Sequence, residues 1–242
     1  MSKNPSLSIV VSAYKEEKRL RATLPEFLKF ARNSKQPVEL VFVDDGSPDG
    51  TAKVIEDSFK GIKGTRFIRS SVNQGKGAGI RRGMLSARGK FRLFADADNA
   101  TPVPQADKLL KEADEETVVI GSRYVPGAVI EKSQPLYRVF GSRVLNFFAQ
   151  LILLPGIKDT QCGFKLFPER AVGEIFPKLR LTRWSFDLEV LALARKLGYR
   201  IKEVPVEWED DPRSVLHPFR DGFRFLLDVI RIKIHLMRGD YD

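Results

Sequence analysis

Short apolar runs alternate with helically spaced segments along the first hundred residues. Leu7 to Ser12 is a β-branched run of strand length. Arg19 to Ala31 then sets Leu20, Leu24, Phe27, Leu28 and Ala31 on one helical face. Val38 to Val43 predicts a second strand, Thr51 to Phe59 a helix and Thr65 to Arg69 a third strand. Asn73-Gln74-Gly75-Lys76-Gly77-Ala78-Gly79 opens the next helix, and Phe91 to Ala95 is a further strand. This alternation predicts βαβ units and an α/β fold with a mostly parallel central sheet flanked by helices.

The second half is less regular. Val103 to Ala113 predicts a helix, Thr117 to Ile120 a strand and Tyr137 to Leu154 a long apolar helix stopped by Pro155-Gly156. Gly163 to Phe167 reads as a strand and Asp187 to Lys196 as an amphipathic helix. Arg200 to Trp208 reads as one strand, placed at an edge by Pro205. From Phe219 to Met237, Phe219, Phe223, Leu226, Leu227, Ile230, Ile234 and Met237 recur near helical spacing, with Arg220, Arg224, Arg231, Lys233 and Arg238 among them. Phe225, Val229 and Ile232 widen the apolar face beyond one stripe. A basic amphipathic helix of this kind either lies in a membrane interface or packs on the domain. The expected organisation is one domain over residues 1–216 with this helix, 217–242, as part of it or as a membrane-interfacial appendage.

Chemistry concentrates where strands end. The apolar run Phe91 to Ala95 breaks into Asp96-Ala97-Asp98-Asn99. Carboxylates at the carboxyl end of a strand sit where open α/β sheets bind ligands. Mg²⁺ or Mn²⁺ takes oxygen ligands, often one or two carboxylates plus substrate phosphates. An isolated Asp-x-Asp more often caps the next helix or lines a solvated loop. Here Asp44-Asp45-Gly46-Ser47 and the Gly75-Lys76-Gly77 loop follow other strands of the same alternation, and a parallel sheet brings all of them to one edge.

The chain has 242 residues, 43% of them hydrophobic, enough for one sizeable core. Lys and Arg number 41 against 31 Asp and Glu, a net charge of +10, which favours anionic partners. Nucleic acid is a poor candidate, because no helix-turn-helix, zinc or RNP signature accompanies the charge. A dinucleotide oxidoreductase is poor too: Gly75 to Gly79 lacks the third glycine of Gly-x-Gly-x-x-Gly, and no Walker pattern is completed after Lys76. Cys162 is the single cysteine, so no internal disulfide forms and a small buried thiol in a reducing compartment is expected. No secretory signal is visible. The longest uncharged stretch, Val144 to Ile157, falls short of the roughly 20 apolar residues a spanning helix needs. A cytoplasmic protein, peripheral on the cytosolic face of a membrane, is the expectation.

In order, these motifs resemble the inverting family 2 glycosyltransferases of GT-A fold, closest to the dolichyl-phosphate glucosyl- and mannosyltransferases, over about Leu7 to Leu216. The resemblance implies that Ala13, Tyr14 and Glu16 of Ser12-Ala13-Tyr14-Lys15-Glu16 line the nucleotide. It implies that Asp45, with Asp44 beside it, meets base or ribose, and that Lys76 lies near the phosphates. Asp96-Ala97-Asp98 matches the metal-binding Asp-x-Asp. Ala100 stands where several mannosyl members carry an additional Gln ligand. Gly121-Ser122-Arg123-Tyr124 resembles the segment whose Arg faces phosphate. Arg138-Val139-Phe140-Gly141-Ser142 resembles the Arg-x-x-x-Ser that meets the lipid phosphate, and Arg213 is a further candidate for that anion. Asp187, in a segment similar to the glucosyl members, is the candidate to order these arginines or the sugar hydroxyls.

The implied reaction is transfer of a hexose, glucose before mannose, from a nucleotide sugar to dolichyl or polyprenyl phosphate at a membrane surface, with Mg²⁺ or Mn²⁺. Asp98-Asn99-Ala100-Thr101 and Asp159 to Phe167 lean towards UDP-glucose. Gly121 to Gly127 leans towards GDP-mannose, and UDP-N-acetylhexosamine stays open. The rival is a family 2 enzyme with a hydroxyl acceptor, which needs a general base; Asp187 is the obvious one.

Overall fold

The computed structural model describes residues 5–132, 136–209 and 218–242. Seven strands form one sheet among the described residues: β1 (Leu7–Ala13), β2 (Val38–Asp44), β3 (Thr65–Arg69), β4 (Phe91–Ala95), β5 (Thr117–Ser122), β7 (Phe164–Pro168) and β8 (Arg200–Pro205). Their spatial order is β3-β2-β1-β4-β7-β5-β8. β1 is buried almost throughout, as a strand covered on both faces must be.

Successive side chains of the strands enter opposite layers. Ile9, Val11, Leu40, Phe42 and Leu93 pack under α1 (Glu17–Asn33) and α2 (Thr51–Phe59). α1 contributes Leu20, Leu24 and Phe27, spaced i, i+4, i+7. Val10, Val41, Val43, Phe94 and Ile120 face the other layer. There lie α3 (Lys76–Ser86), α5 (Leu136–Ile152), α6 (Glu169–Ile175), α7 (Phe186–Lys196) and α8 (Pro218–Arg238). The expected α/β architecture is present.

Four details differ from the sequence reading. β7 runs antiparallel to β4 and β5, so its amino end, not its carboxyl end, reaches the edge where β4 stops. The run Arg200 to Trp208 divides at Val206, whose carbonyl accepts from Val129 N. Its end, β9 (Glu207–Glu209), pairs with β6 (Val129–Lys132) as a separate ribbon. The helix expected from Val103 opens as a 3-10 turn before α4 (Ala106–Lys111), and α6 was not anticipated.

α8 settles on the domain by Phe225, Val229 and Ile232, all buried in the core. Beyond it the Tyr241 hydroxyl donates to Glu189 Oε1 at 2.6 Å, and Arg180 Nη2 donates to the Asp240 carbonyl at 2.7 Å. Among the described residues no helix is long and apolar enough to cross a membrane.

Candidate active site

β1, β2, β4 and β5 are mutually parallel and end on one edge of the sheet; β7 begins there. β4 therefore delivers Asp96-Ala97-Asp98 into a cleft that β1, β2 and β5 also feed. Lys76, the first residue of α3, places its Nζ 2.5 Å from Asp96 Oδ1 and 4.8 Å from the centre of the Trp184 ring. Burial works against the Lys76 ammonium, but Asp96 and then Asp187 outweigh it and hold the group charged above its ordinary range. Asp98 Oδ1 accepts from Ala100 N at 3.0 Å. Burial first, and the like charge of Asp96 second, raise the Asp98 carboxyl above its usual value. Ala97 is buried, and its carbonyl accepts from Thr23 Oγ1 of α1 at 2.8 Å, fixing the loop between the two acids.

Two glycines shape this corner. Gly75 has φ +104°, open to glycine but strained for other residues, and a Cβ there would press on the Thr182 backbone. Gly163 faces Asp96: an added Cβ would stand 2.5 Å from Asp96 Cγ. The carboxylate thus occupies the space that a side chain at 163 would take. Gly163→Ala is expected to displace Asp96, lowering turnover about tenfold to a hundredfold with little loss of thermal stability; melting and initial-rate measurements on one preparation check it.

At the β1 and β2 ends, Asp45 is buried. Its Oδ2 accepts from Gln74 N at 3.0 Å and Gly75 N at 2.7 Å. Its Oδ1 is buried without a hydrogen-bond partner among the described residues. Asp44 Oδ1 accepts from Ser47 N at 3.0 Å, and its Oδ2 lies 3.5 Å from Arg69 Nε. Beside them is an open cleft of about 510 Å³ lined by Gly46, Ser47, Pro48, Arg69, Ser70 and Ser71. Ala13 is buried at the end of β1, whereas Tyr14 is exposed. Glu16 is paired with Arg19 at 2.5 Å, and its backbone N donates to Thr51 Oγ1 at 2.9 Å.

β5 delivers Arg123, but its fork is turned on Asp159. Nε donates to Oδ2 at 2.8 Å and Nη2 to Oδ1 at 2.9 Å. Burial disfavours both charges, and the pairing overrides it: Arg123 is raised and Asp159 lowered from their ordinary values. Glu203 of β8 accepts from Asp159 N at 2.9 Å, so the pair is anchored to the sheet. Ser142 meets the Tyr124 hydroxyl at 3.3 Å, and the Arg143 guanidinium lies 4.0 Å from the Tyr124 ring centre. Arg138 is on α5, though its side chain, like the whole of Arg213, falls outside the described residues.

Among the described residues the ion pair of Asp187 is with a lysine rather than an arginine. It is buried on α7 and takes an ion pair from Lys165, which also donates to the Cys162 carbonyl at 2.6 Å. The side chains of Arg138 and Arg213, which Asp187 was expected to order, lie outside the described residues. Burial raises the Asp187 carboxyl even though Lys165 and Lys76 pull it down. Cys162 is buried as expected, and burial pushes its thiol up to about 12. Sequence reasoning took Asp159, Gly163 and Lys165 only as part of a segment leaning towards UDP-glucose and gave none of them a role of its own. Only Lys165 carried a signal, as a lone charge inside the apolar run Phe164 to Phe167.

The donor set at the end of β4 is hard oxygen. Among the described residues no group of three or more His, Cys, Asp or Glu is placed to hold a metal ion. Two carboxylates fit a cation that completes its shell with substrate phosphate and water. The sequence model of Glycosyl transferase family 2 matches residues 8–176, most of the sheet and the ends of β1, β2, β4 and β5. The chain belongs to glycosyl transferase family 2. It is 38% identical over 251 residues to the dolichyl-phosphate beta-glucosyltransferase of Drosophila melanogaster, covering 96% of this chain and 76% of that protein. The Homo sapiens protein of that name is 36% identical, with 98% and 78% covered.

Among solved structures, mannosyl-3-phosphoglycerate synthase from Rubrobacter xylanophilus superposes with a TM-score of 0.69 at 18% identity, covering 98% of this chain and 75% of that one. Glucosyl-3-phosphoglycerate synthase from Mycobacterium tuberculosis, solved with Mn²⁺, UDP and glucosyl-3-phosphoglycerate, gives 0.67 at 18% identity, with 94% and 78% covered. Such distant likeness establishes the shared GT-A fold. This family 2 chain is a glycosyltransferase, and its acid pair lies at the edge where the fold binds ligands.

Proposed function

We propose that the enzyme transfers glucose from UDP-glucose to a dolichyl or polyprenyl phosphate with inversion, GDP-mannose being the second donor to test. The convergence of Asp96, Asp98 and Lys76 on one corner of the sheet edge carries this reading. The relatives that match nearly the whole chain supply the sugar and the acceptor.

Asp96 and Asp98 would hold Mg²⁺ or Mn²⁺. When bound, the cation withdraws charge from the departing diphosphate as a Lewis acid. Lys76 adds a positive charge at the same corner, held in place by Asp96 and largely withdrawn from solvent. Asp45 offers its unpartnered Oδ1 to a donor on the base or ribose, with Asp44, Ala13, Tyr14 and Glu16 around it. Arg123 is held by Asp159, so it acts as an oriented charge rather than a mobile clamp. Arg138, Ser142 and Arg213 are the candidates for the acceptor phosphate.

An ionised phosphate acceptor needs no strong general base. Asp187, the base that a hydroxyl acceptor would require, is buried and ion-paired with Lys165, which favours the phosphate acceptor. An acceptor of this kind lies in a membrane surface, and the cytosolic face is the proposed side. The test is a panel of nucleotide sugars offered with polyprenyl phosphate or with soluble sugars, reading which nucleoside diphosphate is released. Release of UDP with the lipid phosphate alone is expected; release with a soluble sugar alone overturns the reading.

A further inference from the structure

α8 carries two apolar stripes, and only one is used by the fold. Phe225, Val229 and Ile232 are buried. On the opposite side Phe223, Leu227, Ile230 and Met237 are 63%, 38%, 49% and 69% exposed. Their spacing of i, i+4, i+7, i+14 keeps them on one outward line. α5, packed beside α8, turns out Phe147 and Leu151, 60% and 68% exposed.

Leu227 also lines a cleft of about 450 Å³ between α8 and the segment 180–185. Among the described residues Arg180, Arg183, Arg224 and Arg231 line it, together with Asp228. Asp228 takes Arg231 at 3.1 Å, and the described lining carries more guanidinium groups than carboxylates. Its wall is also the wall of the catalytic corner. The Thr182 carbonyl accepts from Ala78 N of α3 at 3.2 Å, and Trp184 lies on Lys76.

We infer that this cleft binds the phosphate headgroups of an anionic bilayer, with the outward stripe of α8 inserted in the interface beside it. The inference rests on the proposed lipid acceptor and deepens it: the enzyme reads the membrane as well as the substrate. Apolar rings edged by guanidinium groups suit a surface that is hydrocarbon below and phosphate above. A second copy of the chain is a poor occupant. A two-fold interface centred on this cleft would bring each arginine cluster against its own counterpart. Docked this way, α8 sets the catalytic corner close to the headgroup layer, where a lipid phosphate is presented.

Flotation of the full chain with phosphatidylcholine vesicles, with and without phosphatidylserine, tests this. The wild type is expected to float with the phosphatidylserine vesicles and to be released by salt. Arg224→Glu with Arg231→Glu is expected to lower that binding at least about tenfold. Phe223→Glu with Leu227→Glu is expected to lower it comparably. Turnover of a short, water-soluble polyprenyl phosphate is expected to be unchanged in both variants, so a failure of the proposed reaction is read separately from a failure of docking. Wild type that floats with neither vesicle, a charge-reversed variant that floats like wild type, or variants that lose soluble turnover each overturn the inference.

Discussion

Asp98→Ala is expected to lower nucleoside diphosphate release by about a thousandfold, since a bound cation contributes several kcal/mol to a transition state that gathers charge on the leaving group. The fold is expected to survive. The carboxylate's described hydrogen bond is with Ala100 N in the same loop. Burial and Asp96 both disfavour the ionised form, so removing it relieves a like-charge contact. The melting temperature therefore stays at or above that of the wild type. Titration with Mn²⁺ in the presence of UDP, followed by the loss of the free-ion paramagnetic signal, separates the role from mere packing. Wild-type affinity for Mn²⁺ in the variant contradicts the assignment.

Lys165→Met is expected to be the most damaging single change to stability outside the aliphatic core. Lys165 is fully buried between the Cys162 carbonyl and Asp187. Without it Asp187 loses its ion-pair partner in the interior, and removing one member of a buried pair costs about 3–5 kcal/mol. Total stabilities are only about 5–15 kcal/mol. Urea denaturation should show the midpoint falling sharply. The double variant Lys165→Met with Asp187→Leu should recover most of the loss, because an apolar pair of similar volume removes both charges. A single variant as stable as wild type contradicts this reading of the pair. Turnover retained by the double variant also fixes Asp187 as a structural group.

Much of this was legible in the sequence because it is local. The runs at β1, β2 and β4 are apolar and of strand length, and the acids that end them stand out against those runs. Parallel order follows from the intervening helices, and it alone brings Asp45, Lys76 and Asp96 to one edge. What escaped is non-local. An apolar run carries no direction, so β7 gave no warning that it enters the sheet reversed and brings Gly163 to Asp96. Arg123 finds its partner 36 residues on, in Asp159, and no spacing rule joins them. Pro205 marked an edge, and β8 is the last strand of the order; yet the division at Val206 depends on pairing with β6. α8 was ambiguous for a physical reason: two of its faces are apolar, and only the packed structure tells which one the core takes.

The central claim is that a divalent ion gripped by Asp96 and Asp98 is required to move a hexose onto a lipid phosphate. UDP release from UDP-glucose, measured with polyprenyl phosphate in metal-stripped buffer and again after adding Mg²⁺ or Mn²⁺, tests it most directly. No release before the metal and full release after it, in the presence of the lipid phosphate, is the predicted result. Full release in excess EDTA is the result that contradicts it.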